Sequence, residues 1–263
     1  MKRFIPFVKP APLVAVVSLN GVISAGRGLN DAGLSPVLEK AFRRSKPAAV
    51  ALAINSPGGS AVQSSLIAKR IRRLAEEKDV PVYAFVEDVA ASGGYWLACA
   101  ANEIYVDESS IVGSIGVISA GFGLNQLIER HGIERRVHTA GTSKSFMDPF
   151  LPEKPIDVKR LKALQASIHQ AFIDHVRSRR GDRLNDQEEL FGGEIWVGQK
   201  AIDAGVADHI GHLVPTMKTK LGDKVKFARY GQRRGLLTRF GLSLLQDSFN
   251  AFEERALRAR YGL

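Results

Sequence analysis

Apolar and polar positions fall in blocks along this chain, and the blocks alternate in type. Residues 13–19 form an apolar, valine-rich run of strand length that ends at Asn20-Gly21, a turn signal, with Val22-Ile23 placed to resume as a short strand. Residues 35–44 have helical spacing, with Leu38 and Phe42 on one face, and residues 48–54 read as a second buried strand. Residues 60–77 then predict an amphipathic helix whose stripe is Val62, Leu66, Ile67, Ile71 and Leu74, with Lys and Arg opposite. A third strand is expected over 82–86 and a helix over 94–101 after a turn of small residues. A short strand follows at 104–106, and a glycine-punctuated strand is expected over 113–119. Residues 124–130 read as helical and 134–139 as extended. A long helix is expected over 157–180, with Leu161, Leu164, Ile168, Phe172 and Val176 on one face, and a shorter one over 197–204, entered from the strand-like Glu194-Ile195-Trp196.

Repeated strand–helix–strand units with wholly apolar strands argue for an α/β layered fold with mainly parallel pairing and flanking helices. There is no internal repeat. The simplest division is an extension over 1–12, one domain over 13–214 and a basic amphipathic C-terminal tail over 215–263.

Composition changes this picture in one place. A hydrophobic content of 45% and a charged content of 24% are ordinary for a globular chain of 263 residues. The net charge of +10 is not ordinary. Residues 216–263 hold eleven Lys/Arg against four Asp/Glu, so seven of the ten net charges belong to the tail. The body is nearly balanced, and no nucleic-acid recognition motif accompanies the charge. The single cysteine, Cys99, lies in an apolar stretch, reads as a buried structural thiol and fits a reducing compartment. No apolar run reaches the eighteen residues of a membrane span, and Pro6, Pro10 and Pro12 interrupt the basic start, so neither a spanning helix nor a secretory signal is expected.

Three junctions carry candidate chemistry. Ala91-Ser92-Gly93-Gly94 places a serine among small residues where a strand gives way to a helix, leaving room for a substrate backbone. A serine hydroxyl needs a base to become a nucleophile, and a helix entrance favours developing negative charge. Asn55-Ser56-Pro57-Gly58-Gly59 joins another buried strand to another helix, where paired glycines can present unobstructed N–H groups. Gly141-Thr142-Ser143-Lys144 offers a lysine near Phe146, Met147 and Phe150. A lysine acts as a base only when neutral, which at neutral pH requires desolvation to bring its pKa down from about 10.4. Taken singly, each junction is equally a tight turn or a solvated charge.

Taken together with Gly113-Ser114-Ile115-Gly116, residues 193–201 and Ala204-Gly205-Val206-Ala207-Asp208, the three junctions resemble the signal peptide peptidase A family of serine peptidases over about residues 13–214. The resemblance implies a ClpP/crotonase-like fold, Ser92 as nucleophile, Lys144 as general base and Ser114 orienting the lysine. It further implies an oxyanion hole built from the N–H groups of Gly58 and Gly93, and no cofactor or metal. It also implies a ring-like homo-oligomer in which Lys144 reaches the Ser92 of a neighbouring subunit. Peptide substrates are expected, such as remnant signal peptides or membrane-associated polypeptides. Family members often begin with a membrane anchor, whereas this chain starts almost at its first strand, so anchoring does not carry over.

Rival readings follow from the same fold. A Ser-His-Asp site on the ClpP pattern is disfavoured because residues 98–130 contain no histidine. The six histidines read as surface or polar structural residues without metal spacing. A crotonase-type acyl-CoA hydratase or isomerase would draw on carboxylates, for which Glu87 and Asp88 are the nearby candidates. A catalytically inactive scaffold is the third. In the tail, Leu236, Leu237, Phe240, Leu244, Phe249, Phe252, Ala256 and Leu257 recur near helical period among six arginines. That pattern suits either peripheral contact with an anionic membrane or packing on the protein's own oligomer. A cytoplasmic location, with peripheral contact at the inner face of the membrane, is the corresponding expectation.

Overall fold

The computed structural model describes residues 11–231 other than 27, 45, 142, 186 and 187, together with 259 and 261. Residues 1–10 of the expected extension over 1–12, and nearly all of the apolar and arginine positions singled out over 233–261, lie outside the described residues. The chain divides into two compact units, residues 1–115 with 174–263, and residues 116–173.

In the first unit the sheet is built on β1 (Leu13–Asn20) and β2 (Ala49–Ser56), which pair in parallel from Val14 opposite Ala49 to Asn20 opposite Asn55. β2 is buried at all eight positions, as expected of a strand covered on both faces. Between them α1 (Asp31–Arg43) is capped by Asn30, whose side chain accepts from the Gly33 N–H at 2.8 Å, and buries Leu34, Leu38 and Phe42. After β2, α2 (Ala61–Lys78) starts at the cap Ser60 and ends at Asp79 in left-handed backbone. Its stripe is turned from the expected one. Ile67, Ile71 and Leu74 are buried, but Val62 and Leu66 are 66% and 43% exposed, and Ser64, Ala68 and Ala75 take their place inside. Small residues on that face let α2 approach the backbone beneath it.

β3 (Val82–Ala91) runs well past the expected end at Val86. It pairs with β2, with a register irregularity between Ile54 and Ser56, and it forks. Its first half pairs with β4 (Glu103–Val106), and its last residues pair with β5 (Ile111–Gly113). α3 (Gly93–Ala98) lies between β3 and β4, one residue beyond the end of β3. The expected strand over 113–119 is therefore corrected. Extended pairing stops at Gly113 because Gly113 and Ser114 both adopt positive φ, +105° and +52°.

The second unit contains α4 (Asn125–Arg130), a run of turns around residues 143–150 and most of α5 (Pro155–Arg180). Residues 134–139 form no ladder. Of the expected α5 stripe, Phe172 and Val176 are buried, whereas Leu164 and Ile168 are 56% and 41% exposed.

From Asp174 onward the chain belongs again to the first unit. Arg180 is locked there: its guanidinium donates to both Asp208 oxygens at 2.8 and 3.0 Å and to the Gly205 carbonyl, while Asp208 also accepts from the Ile104 N–H at 2.7 Å. Burial disfavours the Asp208 carboxylate, but the Arg180 hydrogen bonds and charge outweigh it and hold its pKa below the ordinary range. β6 (Ile195–Val197) pairs antiparallel to β5. α6 (Gln199–Asp203) and β7 (His209–Ile210) follow, the latter pairing with β4. α7 (Leu213–Leu221) and β8 (Lys226–Tyr230) close the order, with β8 parallel to β1 at the sheet edge and Met217 and Val225 in the core. The mainly parallel sheet with flanking helices is the α/β architecture expected from the sequence, ordered β6-β5-β3-β2-β1-β8 with β4 and β7 on the other arm of the fork.

Candidate active site

Ser92 is the single residue between the end of β3 and the start of α3. Its backbone is at φ 51°, ψ −120°, a sparsely populated conformation for a residue with a side chain. Two bonds hold it there: its N–H donates to the Gly113 carbonyl at 2.8 Å, and its carbonyl accepts from the Trp96 N–H at 3.0 Å. Ala91 and Gly93 on either side are buried, but Ser92 is part-exposed, and its side chain does not cap α3. A strand–turn–helix corner of this kind presents a hydroxyl outward at the expense of local strain.

The glycine junction after β2 lies directly against this corner. A Cβ added to Gly58, at φ +100°, would stand 2.7 Å from the Ala91 oxygen, 2.7 Å from the Gly93 nitrogen and 2.8 Å from Ser92 Cβ. A Cβ on Gly93 would overlap Ser64 Oγ and come within 3.4 Å of Gly58 Cα. These glycines are therefore required by contact between two backbones, which the sequence could show only as turn residues. Gly93 opens α3, where helix geometry leaves the N–H without an intrahelical acceptor. The Gly58 N–H faces Ser56 Oγ at 3.2 Å, and the wholly buried Ser56 donates its own hydroxyl to the Gly21 carbonyl at 2.7 Å.

Ser114 joins the corner from β5. Because the Ser92 N–H binds the Gly113 carbonyl, the residue after Gly113 is brought alongside. Ser114 is itself at φ 52°, and its N–H donates to the Glu194 carbonyl at 2.6 Å. The Ser114 hydroxyl oxygen accepts from the Tyr261 hydroxyl at 3.4 Å. The Trp196 ring lies where a Gly113 side chain would be, 2.6 Å from its Cβ position.

Ser92, Gly58, Gly93 and Ser114 thus come together within the first unit. Lys144 belongs to the second unit, in the turns after Gly141, with its N–H directed to the Gly141 carbonyl at 3.4 Å and its side chain exposed. The neighbouring Ser143 hydroxyl accepts from Arg160 at 2.6 Å.

The helix that follows Ser92 is anchored by residues the sequence did not mark. Tyr95 is fully buried and donates to the Val206 carbonyl at 2.9 Å. Trp96 stacks on His175, 5.2 Å between centroids, while His175 Nε2 bonds the Trp96 carbonyl at 3.0 Å. Burial pushes His175 down to about 4. Cys99 at the end of α3 is buried, and desolvation pushes its thiol up to about 11, so it is a structural thiol as the sequence suggested. Glu87 is exposed in the middle of β3, and Asp88 accepts from the Asn55 side chain at 2.5 Å.

Away from the corner, a surface depression of about 560 Å³ is lined by residues including Tyr105, His209, His212 and Lys220, and it contains none of the sequence-derived site residues. Among the described residues no cluster of three or more His, Cys, Asp or Glu side chains could hold a metal, and no helix is long and apolar enough to cross a membrane.

Comparison with known proteins bears on the family and the fold. A protein from Brucella melitensis named Na(+)/H(+) antiporter NhaA is 46% identical over the whole of this chain, which covers 39% of that protein. The chloroplastic serine protease SPPA of Arabidopsis thaliana is 34% identical over 76% of this chain and 31% of its own length. A putative signal peptide peptidase SppA from Enterococcus faecium is 32% identical over 62% of this chain and 47% of its own. The chain thus spans less than half the length of these relatives. Among solved structures, a serine-to-alanine mutant of the membrane-bound stomatin-specific protease 1510-N shares the fold, with a TM-score of 0.52 and 16% identity, covering 83% of this chain and 97% of that one. The model of peptidase family S49 matches residues 74–226, more than half of the sequence and the stretch that holds Ser92, Ser114 and Lys144, and the chain belongs to that family.

Proposed function

We propose that this chain is a serine endopeptidase acting through Ser92 and Lys144. The observation that carries the reading is the Ser92 corner: a strained, part-exposed serine at a strand-to-helix turn, pressed against a second glycine junction. In the first step Ser92 Oγ attacks the scissile carbonyl carbon while Lys144 Nζ takes the hydroxyl proton. The oxyanion of the tetrahedral intermediate is held by the N–H groups of Gly93 and Gly58, the latter turning from Ser56 Oγ. Collapse breaks the C–N bond, and the proton on Lys144 passes to the leaving amine. Water then attacks the acyl ester, with Lys144 accepting its proton, and the carboxylic product leaves as Ser92 is restored. Ser114 orients the Lys144 amine, in the third-group role of a triad.

Lys144 is exposed in the single chain, so its withdrawal from water comes with assembly of a ring-like homo-oligomer or with substrate. The substrates we propose are extended peptides, including remnant signal peptides and membrane-associated polypeptides, in keeping with the names of the SppA relatives. The arginine-rich residues over 233–261 provide peripheral contact with an anionic membrane at its cytoplasmic face.

The test is hydrolysis of a quenched fluorescent peptide by the full chain, Ser92→Ala and Lys144→Ala. Both variants should lose about a thousandfold or more in kcat/KM. Wild-type turnover in Ser92→Ala would overturn the reading. Turnover lost in Ser92→Ala but kept in Lys144→Ala would leave the nucleophile and reject the base.

A further inference from the structure

Ser56, the last residue of β2, is wholly buried, so its hydroxyl depends on the protein for its hydrogen bonds. The hydroxyl proton goes to the Gly21 carbonyl at 2.7 Å, which leaves only lone pairs for the Gly58 N–H at 3.2 Å. One side chain thus joins the turn after β1 to the amide assigned to the oxyanion. Backbone bonds tie the same turn to the glycine junction on either side. The Gly21 N–H donates to the Asn55 carbonyl at 3.0 Å, and the Ile23 N–H donates to the Gly58 carbonyl at 2.8 Å. Ser56 also touches the serine corner. It is the register partner of Ala90 on β3, and a Cβ on Gly94 in α3 would stand 2.4 Å from the Ser56 carbonyl oxygen. The turn after β1, the glycine junction and the start of α3 therefore meet at this one residue.

We propose that Ser56 is the positioning residue of the oxyanion hole. At rest its hydroxyl oxygen accepts from the Gly58 N–H and keeps the Pro57–Gly58 peptide in place against the corner. When Ser92 adds to the scissile carbonyl, the N–H passes from this neutral oxygen to the oxyanion, while the hydroxyl stays bonded to Gly21. A hydrogen bond to a charged acceptor is about twice as strong as one between neutral groups, so the exchange is favourable. The carbonyl of a bound, unreacted peptide is uncharged and has no such advantage over the hydroxyl. The stabilisation therefore falls on the transition state and acts on kcat rather than KM. Without the hydroxyl, the Gly58 N–H loses its acceptor and the Gly21 carbonyl its donor, and the peptide turns to find others. The proposal rests on the peptidase reading for the oxyanion, whereas the tie from Ser56 to Gly58 is measurable without turnover.

Pro57-Gly58 is the only Pro-Gly pair in the sequence. The full chain, isotopically labelled at proline carbonyls and glycine amides, therefore gives one carbonyl–amide correlation signal by NMR, that of Gly58. In Ser56→Ala this amide should exchange with solvent about tenfold faster than in the wild type. A peptide boronic acid, which forms a tetrahedral adduct with a nucleophilic serine, should shift the wild-type signal. In peptide hydrolysis Ser56→Ala should lose about tenfold to a hundredfold in kcat, with KM changed by less than about twofold. Ser110→Ala is the structural control. Ser110 is also a buried serine joining an N–H to a carbonyl, accepting from Asp107 at 2.9 Å and donating to Val86 at 3.2 Å, and its loss should change kcat by less than about twofold. Unchanged exchange in Ser56→Ala, or a fall in kcat that Ser110→Ala matches, overturns the proposal and leaves the nucleophile standing. Faster exchange in Ser56→Ala, with neither boronate shift nor hydrolysis in the wild type, removes the peptidase reading and reduces Ser56 to a structural tie.

Discussion

Replacing Gly58 by alanine asks whether the two glycine junctions form one structure with Ser92. The native φ of +100° is a conformation L-residues rarely adopt, costing about 1–3 kcal/mol. The new methyl would also sit 2.7 Å from the Ala91 oxygen, 2.7 Å from the Gly93 nitrogen and 2.8 Å from Ser92 Cβ. Two of these are backbone atoms of a corner already held by bonds to Gly113 and Trp96, so neither can swing aside as a side-chain tip does. Overpacking of this kind costs about 1–3 kcal/mol more. The expected total is about 2–6 kcal/mol, a large share of the ordinary stability of a domain. Urea and thermal unfolding should show it as a fall in Tm of roughly 5–20 °C. Fluorophosphonate labelling of Ser92 should slow as well, since relief of the overlap moves the serine. Gly26→Ala is the control, because nothing lies within 4 Å of a Cβ there and its φ is not positive. A Gly58→Ala chain as stable and as quickly labelled as the wild type would refute the contact between the junctions.

Other consequences follow from the anchors around α3. Asp208→Asn leaves Arg180, only 3% exposed, without its carboxylate and should cost about 3–5 kcal/mol by urea unfolding. In the wild type this pair stabilises above the ordinary carboxylate pKa, and that stability is lost in acid as pH falls through the lowered pKa of folded Asp208. His175 adds a second pH dependence. Its folded pKa of about 4 lies below the unperturbed 6.5, so stability is full above about pH 6.5 and falls by about 3 kcal/mol as pH approaches 4. His175→Gln should flatten the unfolding free energy across that window. Cys99, buried and shifted to about 11, should resist iodoacetamide in the native chain at about pH 8 and react fully in urea, as read by mass spectrometry.

What the sequence revealed depended on whether the deciding partner was near in the chain. β1 and β2 were legible because a strand buried on both faces leaves an unbroken apolar run. β3 was cut short at Val86 because Glu87 and Asp88 break the run, and yet these two are merely the exposed positions of a strand that continues to Ala91. Val62 and Leu66 fit the helical period of α2, but the side facing Gly93 needs something as small as Ser64, which rotates the buried stripe. Lys226–Tyr230 mixes charged and aromatic residues like the tail around it and becomes a strand because β1 offers an open edge.

The site divides the same way. Small residues at strand-to-helix junctions flag Ser92, Gly58 and Gly93 locally, and the resemblance added Ser114. That Ser56 donates to the Gly21 carbonyl, that Trp196 covers Gly113 and that Tyr261 reaches Ser114 are consequences of long-range pairing. No local pattern encodes them.

The central claim is that Ser92 is an activated nucleophile, and covalent capture tests it most directly. The full chain, incubated with a fluorophosphonate and digested for mass spectrometry, should carry one adduct on Ser92 that is absent from Ser92→Ala and strongly slowed in Lys144→Ala. An adduct on another serine that persists in Ser92→Ala, or no adduct at all, would contradict the account.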